Sequence, residues 1–244
     1  SQATENETTE EIAGLRLTQP QKGYRFGIDP LLLTAFVQPR MRERVLDLGA
    51  GCGIIALLLA RRWPNLKLWG IELQAELALQ AERNVRGNGL DDRCTILHGD
   101  AREFRSLFKE GYFQRVVSNP PFRTPQSGRL SLQPGRALAR QELALTLDDL
   151  ASAAAFLLGH GGILDFIHLP ERLPEIFQVL SRKGLEPKAL RLIHSFPDSP
   201  PEMALISARR GGRRGLKVLP PLAIFLSPGN YTPEVAGILR GEEG

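Results

Sequence analysis

Long apolar runs are missing from this 244-residue chain. No stretch approaches the roughly 18–20 uninterrupted apolar residues that a membrane helix needs, so no membrane span is expected. The first residues, SQATENETTEE, are polar and acidic and contain no apolar segment of the kind a secretory signal carries. Cysteine is scarce: Cys52 and Cys94 stand alone, and neither belongs to a CxxC pair. That argues against a zinc knuckle or a redox motif, and both are expected to be reduced thiols in a cytoplasmic protein. The four histidines (His98, His160, His168 and His194) are scattered without metal-ligand spacing, so no metal is expected.

What is present fits an ordinary globular chain, with 42% apolar and 24% charged residues. The length suits one α/β domain and is short for two. The net charge is +4, yet the first eleven residues carry four glutamates and no basic side chain, so the remainder stands at +8. A moderately basic body fits a polyanionic partner.

Residues 1–11 read as a disordered tail, and residues 12–244 as a single domain. Within it, 12–42 form an N-terminal segment, 43–210 the core and 211–244 a C-terminal extension. Gly14–Val37 predicts a short hairpin or extended arm and then a helix from about Asp29, with Asp29 as its N-cap and Pro30 in the first turn. From Arg44 apolar strands alternate with helices: ERVLDLG, IIALLLARR, LKLWGIEL, QAELALQAERNVRGNG, CTILHGD and FQRVVSNPPF follow one another. Such alternation implies βαβ units and a mostly parallel sheet. The last two apparent strands, KALRLIHSF and EMALISARR, have no helix between them and predict one antiparallel edge.

In open α/β sheets ligands bind beyond the carboxyl ends of the strands, and the chemical candidates fall there. The first strand runs into Asp47-Leu48-Gly49-Ala50-Gly51-Cys52-Gly53. Three alternating glycines permit a tight turn and a close backbone approach to a ligand. The third glycine comes one residue too early for the G-x-G-x-x-G pattern of nicotinamide dinucleotide sites. Glu72 ends the second strand, nineteen residues after Gly53, where a carboxylate can accept from both ribose hydroxyls of an adenosine. Asp100 ends the third strand and offers an acceptor to an exocyclic adenine amine.

The fourth strand ends in Ser118-Asn119-Pro120-Pro121-Phe122, the most specific signal in the chain. A ring or amide amino group is a poor nucleophile because its lone pair is delocalised. The Asn119 side-chain oxygen and the Pro120 carbonyl can each accept one N–H and turn that lone pair toward a sulfonium methyl. Proline fixes φ and holds its carbonyl in place. Phe122 offers a stacking face to a planar substrate, worth roughly 1–3 kcal/mol per base, and a base target must first be unstacked.

With these residues in view, the chain resembles the Asn-Pro-Pro-aromatic amino-methyltransferases, and within them the bacterial tRNA(Val) adenine-N6 methyltransferase family. The resemblance spans most of residues 12–240: GYRFGIDPLLLTAF, VLDLGAGCGIIALLLA, GIEL, HGDAR and NPPF match successive family motifs, and LKVLPPLAIF with GNYTPEV matches its ending. It implies a Rossmann-like methyltransferase fold with a mostly parallel seven-stranded sheet, helices on both faces and an antiparallel edge strand. It implies S-adenosylmethionine as cofactor, held by Gly49, Ala50, Gly51, Gly53, Glu72, Leu73, Asp100, Ala101 and Asn119, with Phe26 and Asp29 helping to close the site. Asn119, Pro120, Pro121 and Phe122 would hold the target amine, most directly adenine N6 in tRNA.

Two basic segments are candidate substrate contacts. Arg123, Arg129, Arg136 and Arg140 lie in a Gly- and Pro-containing loop without acids, which reads as a basic lid that grips phosphates. Arg213 and Arg214 belong to a second patch. The alternatives are protein glutamine N5 or rRNA guanine N2 as acceptor, and a non-catalytic S-adenosylmethionine- and RNA-binding factor. Release-factor methyltransferases typically carry a separate helical N-terminal domain, for which the roughly forty residues before Arg44 leave no room.

Overall fold

The computed structural model describes residues 7–20, 27–120 and 145–242. The chain opens with a hairpin of β1 (Glu7–Ile12) and β2 (Leu15–Pro20). Its two-residue turn, Ala13-Gly14, has positive φ at both positions, the geometry that matches strand twist in tight hairpins. Residues 7–11, expected in a disordered tail, belong to strand β1. The reason is anchoring. Leu15 and Leu17 are buried, and Asn84 and Asn88 of helix α3 (Ala75–Gly87, with Asn88 as its C-cap) each exchange two hydrogen bonds of 2.8–2.9 Å with the backbone of Thr18 and Arg16.

Helix α1 (Asp29–Phe36) follows. Its N-cap is Ile28, whose carbonyl receives the Leu31 and Leu32 amides; Asp29 is the first helical residue, not the cap, and Pro30 is the second. Then come β3 (Arg44–Leu48), α2 (Ile54–Arg62), β4 (Lys67–Glu72), α3, β5 (Cys94–His98), a 3-10 turn at Ala101–Glu103, α4 (Phe104–Leu107) and β6 (Phe113–Ser118). The second half comprises α5 (Leu147–Leu157), β7 (Leu158–His168), α6 (Leu173–Arg182), β8 (Leu185–His194) and β9 (Pro201–Arg210). Short strands β10 (Lys217–Val218), β11 (Leu222–Ala223), β12 (Phe225–Ser227) and β13 (Asn230–Tyr231) precede α7 (Pro233–Arg240). Thr146 caps α5 through a reciprocal box with Asp149.

The main sheet has the order β5-β4-β3-β6-β7-β9-β8, with β10 and β11 both on the outer side of β8. It has nine strands rather than seven. The antiparallel strand is β9, and it lies inside the sheet between β7 and β8 rather than at the edge. β8 returns parallel to β7 but one strand-width away, and β9 folds back from β8 through a six-residue loop to fill that gap. This leaves the outer side of β8 free for β10 and β11, which run parallel to it.

Both faces of the sheet are covered. On one, Val45, Val117 and Ile167 pack with α1, α2, α3 and the C-terminal Leu222, Ile224 and Val235. On the other, Leu46, Leu48, Val116 and Phe166 pack with α4, α5 and α6. Successive residues of one strand face opposite cores, as the two-residue strand period requires. Helix α2 is buried from Ile54 to Ala60, between the sheet and its neighbours, so its apolar run is continuous rather than periodic.

Candidate active site

The carboxyl ends of β3, β4, β5 and β6 carry the predicted site. Gly49, Gly51 and Gly53 have φ of 80°, 56° and 85°, so each occupies the left-handed region that glycine enters at least cost. The turn is pinned to β4: the amides of Gly49 and Ala50 both donate to the Ile71 carbonyl, at 3.0 and 2.9 Å. It approaches so closely that a Cβ on Gly70 would lie 2.9 Å from the Cβ of Ala50. Gly70, unremarked in the sequence, is thus a condition of the turn's position.

Glu72 is buried at the end of β4 and braces the same turn. Its Oε2 accepts from the Gly51 amide and its Oε1 from the Gln74 amide, both at 2.8 Å. Each oxygen keeps a lone pair, so the carboxylate remains able to receive two hydroxyls. Leu73 follows, its carbonyl 3.1 Å from His98 Nε2.

Two further residues belong to these strand ends, Asn84 and Asp47. Asn84, on α3, donates to the Cys52 carbonyl at 2.9 Å while holding the N-terminal hairpin, and so couples the hairpin to the glycine turn. Asp47 lies on β3 two residues before Gly49 and is only 1% exposed, with neither carboxyl oxygen hydrogen-bonded. Burial, and then the negative charge of Glu72, push its carboxyl up to about 8, against a weaker opposing pull from the Ala56 amide. A partnerless buried carboxyl is a costly group to keep; a cation arriving at these strand ends would relieve it.

Asp100 ends β5 as expected, but it is not a free acceptor. It caps the 3-10 turn through the Arg102 amide, and the Arg102 guanidinium grips both of its oxygens at 2.8–2.9 Å from Nε. Hydrogen bonding from Arg102 holds its carboxyl below the usual range. An adenine amine would share Asp100 with Arg102. Ala101 is buried behind it.

At the end of β6 the Ser118 hydroxyl donates to the Leu48 carbonyl at 2.8 Å, which locks this strand end to the start of the glycine turn. Asn119 is therefore half-buried beside the turn, and Pro120 is buried. Asp29, the first residue of α1, has its carboxyl raised by burial, opposed by its own backbone amide. Phe26, Pro121, Phe122, Arg123, Arg129, Arg136 and Arg140 lie outside the described residues. Arg213 and Arg214 are exposed and stand elsewhere: β9 runs down to Arg210, so they lie past the amino ends of the parallel strands. Cys52 and Cys94 are buried free thiols, both pushed up to about 11 chiefly by burial, and so are unreactive. Among the described residues no group of three or more His, Cys, Asp or Glu could hold a metal, and no helix is long and apolar enough to cross a membrane.

The family model described as methyltransferase small domain matches residues 28–140. Over 219 residues the chain is 31% identical to the tRNA1(Val) (adenine(37)-N6)-methyltransferase of Porphyromonas gingivalis, covering 86% of this chain and 85% of that protein. The chain belongs to that family. The protein of the same name from Yersinia pseudotuberculosis is also 31% identical, over 217 residues, 88% of this chain and 84% of its own. The family makes this protein an S-adenosylmethionine-dependent methyltransferase with a Rossmann-like fold. Among solved structures, a protein from Agrobacterium tumefaciens described as a predicted O-methyltransferase has a TM-score of 0.73 at 23% identity, covering 88% of this chain and 97% of that one. P. horikoshii TYW2 in complex with MeSAdo has a TM-score of 0.60 at 16% identity, over 86% and 74%; both likenesses concern the fold. The residues fit the family's cofactor: a glycine turn open to a ligand, a carboxylate with two lone pairs to spare, and a buried carboxyl without a partner.

Proposed function

We propose that this protein methylates N6 of an adenine in tRNA, and that the base is adenine 37 of tRNA1(Val), as its relatives are named. The observation that carries the reading is Asn119-Pro120 fastened beside the glycine turn by the Ser118–Leu48 hydrogen bond. S-adenosylmethionine, when bound, supplies an electrophilic methyl on a sulfonium. Gly49, Ala50, Gly51, Gly53, Glu72, Leu73, Asp100 and Ala101 would hold it, with Asp47 and Glu72 placing carboxyl groups at the same strand ends. The Asn119 side-chain oxygen and the rigid Pro120 carbonyl accept hydrogen bonds from the two amine N–H groups and aim the nitrogen lone pair at the methyl; one proton leaves to solvent after transfer, and much of the rate enhancement comes from orientation. Pro121 and Phe122 complete the motif, with Phe122 stacking on the extruded base. Phe26 and Asp29 close the site. Arg123, Arg129, Arg136 and Arg140 grip phosphates near the target, and Arg213 and Arg214 grip phosphates farther away. The protein works in the cytoplasm, where tRNA is modified.

The test is transfer from labelled S-adenosylmethionine into separate pools of unmodified tRNA, rRNA and protein, followed by nucleoside analysis. Label as N6-methyladenosine in tRNA is expected. Label in protein glutamine, or as N2-methylguanosine in rRNA, would keep the site and overturn the substrate. No label in any pool, with cofactor bound, would favour a non-catalytic binder.

A further inference from the structure

A half-open cavity of about 790 Å³ lies at the amino ends of the strands, where β3, β6 and β7 begin and β9 ends, between the sheet and helices α1 and α7. Val116, Val117 and Ser118 separate its Arg115 wall from Asn119, about 13 Å of extended chain. No step of methyl transfer uses it.

Its charge is unbalanced. Five arginines line it against three carboxylates. All three carboxylates are taken. Arg115 bonds Glu43 at 2.9 Å, and Asp165 through its other arm, while Arg191 holds both oxygens of Glu234 at 2.7 and 2.9 Å. Arg40, Arg42 and Arg209 form no ion pair among the described residues. The Arg209 Nε is shut off from solvent and has no hydrogen-bond partner, an uncommon state for a guanidinium donor. Arg42 sits at φ 61°, a left-handed conformation that a non-glycine side chain adopts at a cost and that recurs at ligand clamps. His160 shares the lining, and its ring lies where a Cβ on Gly211 would come within 2.6 Å, so the glycine makes its room.

We propose that this cavity is a phosphate-binding site, centred on Arg209 and completed by Arg40, Arg42 and His160, which grips the backbone of the RNA substrate about 13 Å along the sheet from Asn119. Guanidinium forks match the oxygens of a phosphate, and an excess of arginines over carboxylates in the lining favours a phosphate over a single carboxylate. Exposed Arg213, Arg214 and Lys217 extend the positive surface beyond the end of β9, which suits a chain of phosphates better than one small anion. Contacts to phosphate set register without reading sequence. The inference rests on the proposed RNA substrate only for the source of the phosphate.

The experiment uses the full chain, with inorganic phosphate and unmodified tRNA as separate probes. Phosphate is expected to raise the melting temperature of the wild type and to leave Arg209→Gln unmoved. Arg209→Gln should bind tRNA about 10-fold more weakly, with the slope of log affinity against log salt reduced by roughly one contact, while its S-adenosylmethionine affinity stays within error of wild type. Arg42→Gly, which suits the left-handed backbone, should melt no lower than wild type and still bind tRNA more weakly. Loss of the phosphate effect with tRNA affinity and slope intact would overturn the RNA grip and mark a site for a free phosphate-bearing ligand. Phosphate response and tRNA binding both indifferent to Arg209 and Arg42 would overturn the site itself. A wild type that transfers no methyl to tRNA would sink the substrate reading, and the phosphate arm would still decide the cavity.

Discussion

The two ends of the parallel sheet are built on opposite electrostatic plans. At the carboxyl end Asp47, Glu72 and Asp100 gather acidic groups around a glycine turn, and Asp47 is left without a partner. At the amino end arginines gather, and the most buried of them, Arg115, is fully engaged by Glu43, Asp165 and the Gln38 carbonyl. One end stores unfavourable burial of a carboxyl; the other spends two carboxylates on holding one cation. A fold tolerates the first arrangement where a ligand compensates it, and needs the second where nothing else does.

That contrast can be broken from either side. Arg115→Leu leaves Glu43 and Asp165 buried and unpaired, and is expected to cost about 3–5 kcal/mol in urea unfolding; a loss below about 1 kcal/mol would mean that water relieves the site. Asp47→Asn has the opposite sign. The unfolded chain releases this proton near the ordinary aspartate value while the folded protein keeps it until about pH 8, so wild-type stability falls as pH rises between the two. The slope is at most about 1.4 kcal/mol per pH unit. Asparagine removes it, so the variant should gain most over wild type near pH 8 and least near pH 4, measured by denaturant titration at both. A pH-independent difference would show that Asp47 is ionised throughout.

Glu72→Gln sharpens the comparison at smaller amplitude. Both oxygens accept backbone amides, so the new NH2 must face a donor and also loses charge-assisted bonds to the ribose. S-adenosylmethionine affinity should fall by roughly 10–150-fold, read by calorimetry. Affinity unchanged would remove Glu72 from the cofactor's hold.

The strands, helices and chemistry-bearing strand ends were legible because apolar runs ended in glycine, proline or a lone acid. The insertion of β9 was not legible, since a two-residue pattern marks a strand's faces and says nothing of its neighbours. Nor was the first strand of the hairpin, whose polar Glu7–Ile12 reads as tail until Asn84 and Asn88 are seen to hold its partner strand. Asn84 looks like one more polar position on an amphipathic helix; its link to Cys52 spans 32 residues. Arg115 in the apolar FQRVVS was a visible oddity, but its partners stand 72 and 50 residues away. The cavity arises from β3, β6, β7, β8 and β9 together, and no local pattern announces it.

The most direct test of the account is single-turnover methyl transfer to unmodified tRNA by wild type and by Asn119→Ala, with cofactor affinity measured on the same samples. Orientation by Asn119 predicts a fall in rate of about 100-fold or more, with S-adenosylmethionine affinity falling far less, by about tenfold at most. Transfer to adenine at an undiminished rate by Asn119→Ala would contradict the assignment of the chemistry to the end of β6.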